Sequence, residues 1–298
     1  MHFRLLACAI GALAAAFAGR PAAPSARADN ERIYVTVIDA KGKPVTGLTR
    51  ADFNVRLDTA NQEVLGFEPA LVAPSVMIMT DRLGLNPAYT PFDTSDALRG
   101  FANTIRKGNP DSKFALLTFD GTTTPLTTFM SPWSETDRAL GRLPTNTPEA
   151  VLMEGISETC KAFRSAPTDR KIIFALLSAY KPDASYGQSN VIAEQLRLSR
   201  ASLWVVEVRV PEGSYTGNYN NPMREQFLDA GAGLSGGFRE TVASRSAFVA
   251  AARHAAELIN AQYVLTFGPA TGGNRQTQLI VEVKRPNVRV LAPGWTSR

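Results

Sequence analysis

Four short, almost uninterrupted runs of apolar residues are the feature of this sequence that most constrains its fold. They lie at 76–79, 114–117, 172–177 and 203–206, and segments with a helical pattern separate them. An apolar run of about four to eight residues is typical of a strand covered on both faces. Such strands, alternating with helices, form a mainly parallel sheet with helices on both faces. The sequence therefore predicts an α/β fold for the middle of the chain.

The helices of this middle region are predicted from apolar stripes and capping residues. The clearest one runs from about Thr94 to Lys107, with Asp93 as a suitable N-cap. Ser134 and Thr147 are predicted to cap the next two helices, of which the second carries Cys160. The later helices are predicted at 189–200, 223–233 and 246–260.

The segments on either side of the α/β region are predicted to be β-structure. Residues 33–38 are β-branched and aromatic without Gly or Pro, and residues 53–57 alternate apolar with polar ones. With a further strand pattern at 62–67, the 31–68 segment is predicted to form three or four antiparallel strands. Residues 262–267, 278–284 and 288–291 show the same strand patterns. Because both ends contribute strands of one type, we expect them to pack together as a small β module.

The first 28 residues have the features of a secretory signal. Arg4 precedes an uncharged run from Leu5 to Ala18, and Ala26-Arg27-Ala28 has the small residues of a cleavage site. Removal of this segment takes away three arginines and no acid, and lowers the net charge from +5 to +2. We therefore expect a secreted or periplasmic protein without a basic nucleic-acid surface. No segment after Ala28 is apolar and long enough to predict a membrane span.

The residues offer little for catalysis. Cys160 and His254 are the only cysteine and histidine after residue 28, and nothing in the sequence brings them together. Ser178 lacks a nucleophile-elbow motif. We therefore expect that the protein is not an enzyme and that Cys160 is a small buried hydrophobe. An unrecognised hydrolase stays as an alternative.

Short motifs in a shared order resemble the secreted von Willebrand factor type A-related proteins that are abundant in Acidobacteria. The motifs are VTVID at 35–39, KPVTGL at 43–48, DF at 52–53, LSGG at 234–237, QYVL at 262–265, VEVKRP at 281–286 and GW at 294–295. The resemblance implies a Rossmann-like type A domain at 71–261. The signal peptide at 1–28 precedes it, and β segments at 29–70 and 262–298 flank it.

Type A domains normally hold a divalent cation where the strands end, in a metal-ion-dependent adhesion site built from oxygen ligands. The resemblance places the Asp-x-Ser-x-Ser loop of the family at 81–85, where Asp81 is kept but Leu83 and Leu85 replace the serines. Ala179 stands where a later loop supplies an aspartate. The resemblance therefore implies a degenerate site.

Three residues are the candidate remnants of that site. They are Asp81, Thr147 (with Thr145 as the other possible loop threonine) and Asp183, which follows Ala179 four residues later. One carboxylate and one hydroxyl do not make a tight Mg²⁺ site, so we expect no cofactor. A divalent-cation-dependent binding module that uses an irregular site around Asp81 stays as an alternative.

The function that the sequence favours is a non-enzymatic, secreted protein-interaction or adhesion-like module with an unidentified protein partner. Two loops supply the candidate contact residues. The 82–93 loop contains Leu85, Tyr89 and Phe92, and it replaces the metal loop. The polar 211–222 loop contains Tyr215 and Tyr219, aromatic anchors among small polar residues.

Overall fold

The apolar runs form neighbouring strands of one central sheet in the computed structural model, which describes residues 30–81, 91–143, 149–179, 181–209, 221–268 and 277–296. The strands in chain order are β1 (Glu31–Asp39), β2 (Phe53–Leu57), β3 (Ala60–Gln62), β4 (Val64–Pro69), β5 (Ser75–Thr80), β6 (Lys113–Thr118), β7 (Thr124–Thr127), β8 (Lys171–Ser178), β9 (Ala201–Val208), β10 (Phe238–Val242), β11 (Tyr263–Phe267), β12 (Leu279–Val283) and β13 (Val288–Leu291). The α-helices are α1 (Pro91–Gly108), α2 (Trp133–Leu140), α3 (Leu152–Ala162), α4 (Ser189–Ser199), α5 (Pro222–Leu234) and α6 (Arg245–Asn260). Short 3₁₀ helices lie at Arg50–Asp52 and Phe163–Ser165.

The central sheet has six strands in the order β10-β9-β8-β5-β6-β7. Every neighbouring pair is parallel except β6 and β7, which are antiparallel. The chain first passes from β5 to β6 on one side and later places β8 on the other side of β5. Open α/β sheets bind ligands at the carboxyl ends of strands where the order reverses in this way. The ends of β5, β6 and β8 are therefore the natural position for a site.

Helices cover both faces of this sheet, as the continuous apolar runs predict. Because side chains alternate along a strand, Val76 and Ile78 pack towards α1 and α6, whereas Met77 and Met79 pack towards the opposite helical layer. That opposite layer consists of α3, α4 and α5. The rings of Phe101 in α1 and Phe174 in β8 stack with centroids 3.7 Å apart. Burial on both faces explains why these strands carry almost no polar residues.

The two ends of the described chain meet in the small β module, which confirms that expectation. β1 pairs with β11 and β13, and β11 pairs with β4, all antiparallel. β2 pairs with β3 and β12 in a second antiparallel sheet. Val35, Val55 and Leu265 are completely buried in the core between them.

The first three helices begin at residues other than those that the sequence predicts. α1 is the first of them. It starts at Pro91, so Asp93 lies inside the helix and is not its N-cap. Phe92, predicted to lie in a loop, also belongs to α1. Proline suits the first turn, because its φ is already helical and its missing N–H has no partner to lose there.

α2 begins earlier than predicted, and α3 begins later. α2 starts at Trp133 after an extended Pro132, which puts Ser134 in the first turn. α3 starts at Leu152, because bridges on both sides of Ala150 keep the preceding backbone extended. Within the described ranges, no helix has the length and hydropathy needed to cross a membrane.

Candidate functional site

The candidate site lies where β5 and β8 end side by side. Asp81 directly follows β5, and its side chain is buried with a relative exposure of 1%. Its carboxylate oxygen Oδ2 accepts a hydrogen bond from the backbone N–H of Ser178, the last residue of β8, at 2.9 Å. Burial raises the pKa of Asp81 to about 6, and the nearby charges of Lys181 and Arg224 offset only part of that effect.

A buried lysine occupies the space next to Asp81. The ammonium group of Lys181 donates a hydrogen bond to the backbone oxygen of Asp81 at 3.0 Å. It also forms an ion pair with Oδ1 of Asp120, which lies just after β6. Both side chains are almost fully buried, at 1% exposure for Lys181 and 6% for Asp120. The carboxyl ends of β5, β6 and β8 therefore meet around one cationic side chain.

A second buried cation lies beside the first group. Arg224, in the first turn of α5, donates from Nη2 to the backbone oxygen of Ser178 at 2.9 Å. The same nitrogen lies 3.4 Å from Oε1 of Glu207, which is completely buried in β9. The Nε atom of Arg224 lies 3.8 Å from Oδ2 of Asp183. Arg239 of β10 binds the other oxygen of Glu207 at 2.6 Å.

The N-cap residue of α5, Asn221, links the first turn of this helix to the network through hydrogen bonds. The side-chain oxygen of Asn221 accepts hydrogen bonds from the backbone N–H groups of Met223 and Arg224, at 3.1 and 3.2 Å. The side-chain nitrogen of Asn221 donates to the backbone oxygen of Asp183 at 3.1 Å. Arg224 is thus positioned by the same residue that starts the helix.

Two of the three predicted remnant residues lie at this edge of the sheet. Asp81 and Asp183 are both buried there, and Ser178 and Arg224 connect them. The other predicted site residues lie outside the described part of the chain: Thr147, Leu85, Tyr89, Tyr215, Tyr219 and the side chain of Phe92. Their roles stay predictions.

The charged residues that dominate the site are not among those that the sequence predicts. They are Lys181, Asp120, Arg224 and Glu207, of which only Glu207 gives a signal in the sequence. A carboxylate that ends an apolar run in a doubly covered strand is buried, and a buried carboxylate needs a cation or several hydrogen bonds. That requirement predicts basic partners nearby without naming them.

The sequence of the predicted ligand loop and the described residues at these strand ends do not fit a divalent cation. Mg²⁺ and Ca²⁺ need several oxygen ligands, and the serine positions of the adhesion-site pattern are Leu83 and Leu85, whose side chains carry none. No group of three histidine, cysteine or acidic side chains arranged for a metal occurs in the described ranges. The Lys181 ammonium also binds the backbone oxygen of Asp81 and the carboxylate of Asp120, so a metal there would meet a positive charge.

Three exposed side chains with apolar parts lie in the segments that carry or neighbour the residues of this network. Tyr186 is 85% exposed in the segment after β8, and Met223 and Val191 are partly exposed at the starts of α5 and α4. The carboxylate of Glu154 in α3 accepts hydrogen bonds from the backbone N–H groups of Tyr186 and Gly187 at 3.1 and 2.8 Å. A fixed backbone thus presents an exposed aromatic ring at the site edge.

Comparisons with known proteins connect this geometry to one fold. No protein-family model matches the sequence, and a search of curated proteins finds no relative. Among solved structures, the chain is similar to proximal thread matrix protein 1 from the mussel byssus, in a structure with a zinc-occupied MIDAS (metal-ion-dependent adhesion site) motif. That match has a TM-score of 0.50 and 11% identity, and covers 75% of this chain and 50% of the mussel chain.

Two bacterial structures are also similar. A von Willebrand factor type A protein from Catenulispora acidiphila has a TM-score of 0.49 and 11% identity, and the match covers 91% of this chain and 74% of that one. The conserved hypothetical protein BatB from Bacteroides thetaiotaomicron has a TM-score of 0.44 and 14% identity, with 63% and 98% covered. The chain has the von Willebrand factor type A fold, with an added antiparallel β module. Identities this low show the fold alone.

Proposed function

We propose that this chain is a non-enzymatic, secreted or periplasmic protein-interaction module of the adhesion-like kind, and that it binds its partner without a divalent cation. The observation that carries this proposal is the buried Lys181 ammonium at the carboxyl ends of β5, β6 and β8. The zinc-occupied motif named for the mussel protein contrasts with this arrangement. Residues 1–28, with their signal-like pattern, support a location outside the cytoplasm.

The environments of the two reactive side chains support a non-enzymatic role. Burial raises the pKa of the Cys160 thiol to about 11, so the thiolate needed for attack is scarce at neutral pH. His254 is held by the backbone oxygen of Gly42 at 2.8 Å and by Glu240 at 3.4 Å. The thiol of Cys160 instead contacts Ser199 at 3.7 Å, so these groups belong to separate structural contacts.

The contact surface we propose includes the exposed Tyr186, together with Met223 at the start of α5 and Val191 at the start of α4. An exposed tyrosine on a fixed backbone offers a large contact area with little ordering entropy to lose on binding. The 82–93 and 211–222 loops, whose tyrosines the sequence also proposes as contacts, join the described chain at the same edge of the sheet. A protein partner with an apolar pocket would fit these exposed tyrosine, methionine and valine side chains.

The test is capture of a partner by the purified protein from the envelope and extracellular fractions of its source organism. We expect one protein to be retained equally in EDTA and in millimolar Mg²⁺, and to be lost with Tyr186→Ser. Leu71→Ser is the matched control, because Leu71 is 81% exposed just before β5, at the opposite edge of the sheet. Capture only with Mg²⁺, or capture that Tyr186→Ser leaves unchanged, would contradict the proposal.

A further inference from the structure

The buried Lys181 side chain lies where three neighbouring strands of the central sheet end. Its ammonium contacts the backbone oxygen of Asp81, after β5, and the carboxylate of Asp120, after β6. Lys181 itself follows β8, so each of the three strand ends contributes one residue. An ammonium group taken out of water is strongly unfavourable unless carboxylate and hydrogen-bond partners compensate it. The arrangement is therefore a built cation position.

We propose that the Lys181 ammonium is the internal cation of this site, and that it takes the place of a divalent ion and excludes one. The proposal deepens the function proposed above, because it names the group that makes binding independent of metal. Partner capture and metal response are separate measurements, so the two proposals fail separately.

The charges around the site support this assignment. Four buried or nearly buried carboxylates lie near the carboxyl ends of β5, β6, β8 and β9, and each has a basic side chain close by in the described structure. The pairs are Lys181 with Asp120, Arg224 with Asp183 and Glu207, and Arg239 with Glu207. Asp81 lies against the same ammonium through its backbone oxygen. Protein cations thus balance charge where the fold family uses a metal.

A fixed cation changes what the site is able to recognise. A bound metal with an open coordination position takes a further ligand group there. The Lys181 side chain is only 1% exposed, so its ammonium is not accessible for direct contact with a partner. Recognition at this edge therefore depends on exposed groups such as Tyr186, and an acidic partner side chain is not required.

Replacing Lys181 tests the proposal directly. Lys181→Ala removes the charge and opens space between Asp81 and Asp120, whereas Lys181→Met removes the charge but keeps most of the volume. We expect Mn²⁺ or Mg²⁺ to raise the thermal midpoint of Lys181→Ala by several degrees at saturation. We expect neither ion to change the midpoint of the wild type or of Lys181→Met. Calorimetry should give at least about tenfold tighter Mn²⁺ binding to Lys181→Ala than to the wild type.

A second variant keeps the test decisive if Lys181→Ala does not fold. Lys181→Ala with Asp120→Asn removes one carboxylate together with the ammonium, so it should be more stable than Lys181→Ala and insensitive to metal. A double variant no more stable than the single one would overturn the charge argument. Wild-type stabilisation by Mg²⁺ or Mn²⁺ that Asp81→Ala abolishes would overturn the proposal. The proposal would also be overturned if Lys181→Ala folds and metal raises its thermal midpoint no more than that of Lys181→Met.

Discussion

Arg170 is a completely buried arginine that joins the α/β domain to the β module, and its removal should be strongly destabilising. Its guanidinium donates to the backbone oxygens of Ala70 at 2.8 Å, Val72 at 2.9 Å and Ile259 at 2.5 Å. It also donates to the side-chain oxygen of Gln262 at 3.1 Å. These acceptors lie in the link between β4 and β5 and at the end of α6, so one side chain connects segments distant in sequence.

The size of the effect follows from these contacts. Arg170→Met keeps most of the apolar packing but leaves several acceptors without this donor, and each buried acceptor left unpaired costs about 1–3 kcal/mol. The variant also removes a charge that is unfavourable to bury, as the fall in the pKa of Arg170 to about 10 indicates. We therefore expect a net loss of about 3–5 kcal/mol, against a typical total stability of about 5–15 kcal/mol. The thermal midpoint should fall by roughly 10 °C.

Urea unfolding followed by circular dichroism measures this loss, with the slope against urea as a check that the transition stays two-state. Arg164→Met is the matched control, because Arg164 is exposed in the 3₁₀ helix Phe163–Ser165 and should change stability by less than about 0.5 kcal/mol. A loss below about 1 kcal/mol for Arg170→Met would refute the reasoning, since the acceptors would then be satisfied without the guanidinium.

Three further predictions concern single residues. The hydrogen bond to Glu240 raises the pKa of His254 above 6.5 in the folded protein. Protonated His254 therefore stabilises the fold fully below pH 6.5, and this contribution is lost as the pH rises through the folded-state pKa. Thermal midpoints at about pH 6 and pH 8 should therefore differ less in His254→Gln than in the wild type. Gly237→Ala should lose more than about 3 kcal/mol by urea unfolding, because its methyl would lie 1.9 Å from a carbonyl oxygen of β9. Gly233→Ala is the control and should not lose that much stability, because no atom lies within 4 Å of its new methyl. Cys160 should react with a thiol reagent at least about 100-fold faster in denaturant than in the native state, because it is buried.

The strands of the central sheet could be predicted because burial on both faces leaves a direct trace in the sequence. The run at 172–177 forms β8, and the run at 76–79 forms β5. β7 was not predicted, since Thr124–Thr127 is a short edge strand that contains Pro125 and has no apolar run. The edge position also explains why proline is tolerated there.

The pairing within the β module shows a different limit. Local alternation predicts that residues near Ile33 and Val55 are in strands, and it places strands near Leu265 and Val281 as well. It does not predict that Ile33 pairs with Leu265 and Val55 with Val281, because a strand pattern states which face is buried and not which neighbour covers it. The shared strand character of the two ends supported only the coarser expectation that they pack together.

The site itself could be predicted only in part, because a pattern of metal ligands does not reveal a lysine in their neighbourhood. A comparison with the ligand pattern of the resembled family finds Leu83, Leu85 and Ala179 where oxygen ligands are expected, and so detects what is missing. It does not detect Lys181, because a lysine two residues after Ala179 is not a metal ligand and so is not part of the pattern. Asp81 is buried, and buried carboxylates require positive charge nearby. The balance of buried charge, rather than the number of oxygen ligands, is therefore what points to Lys181.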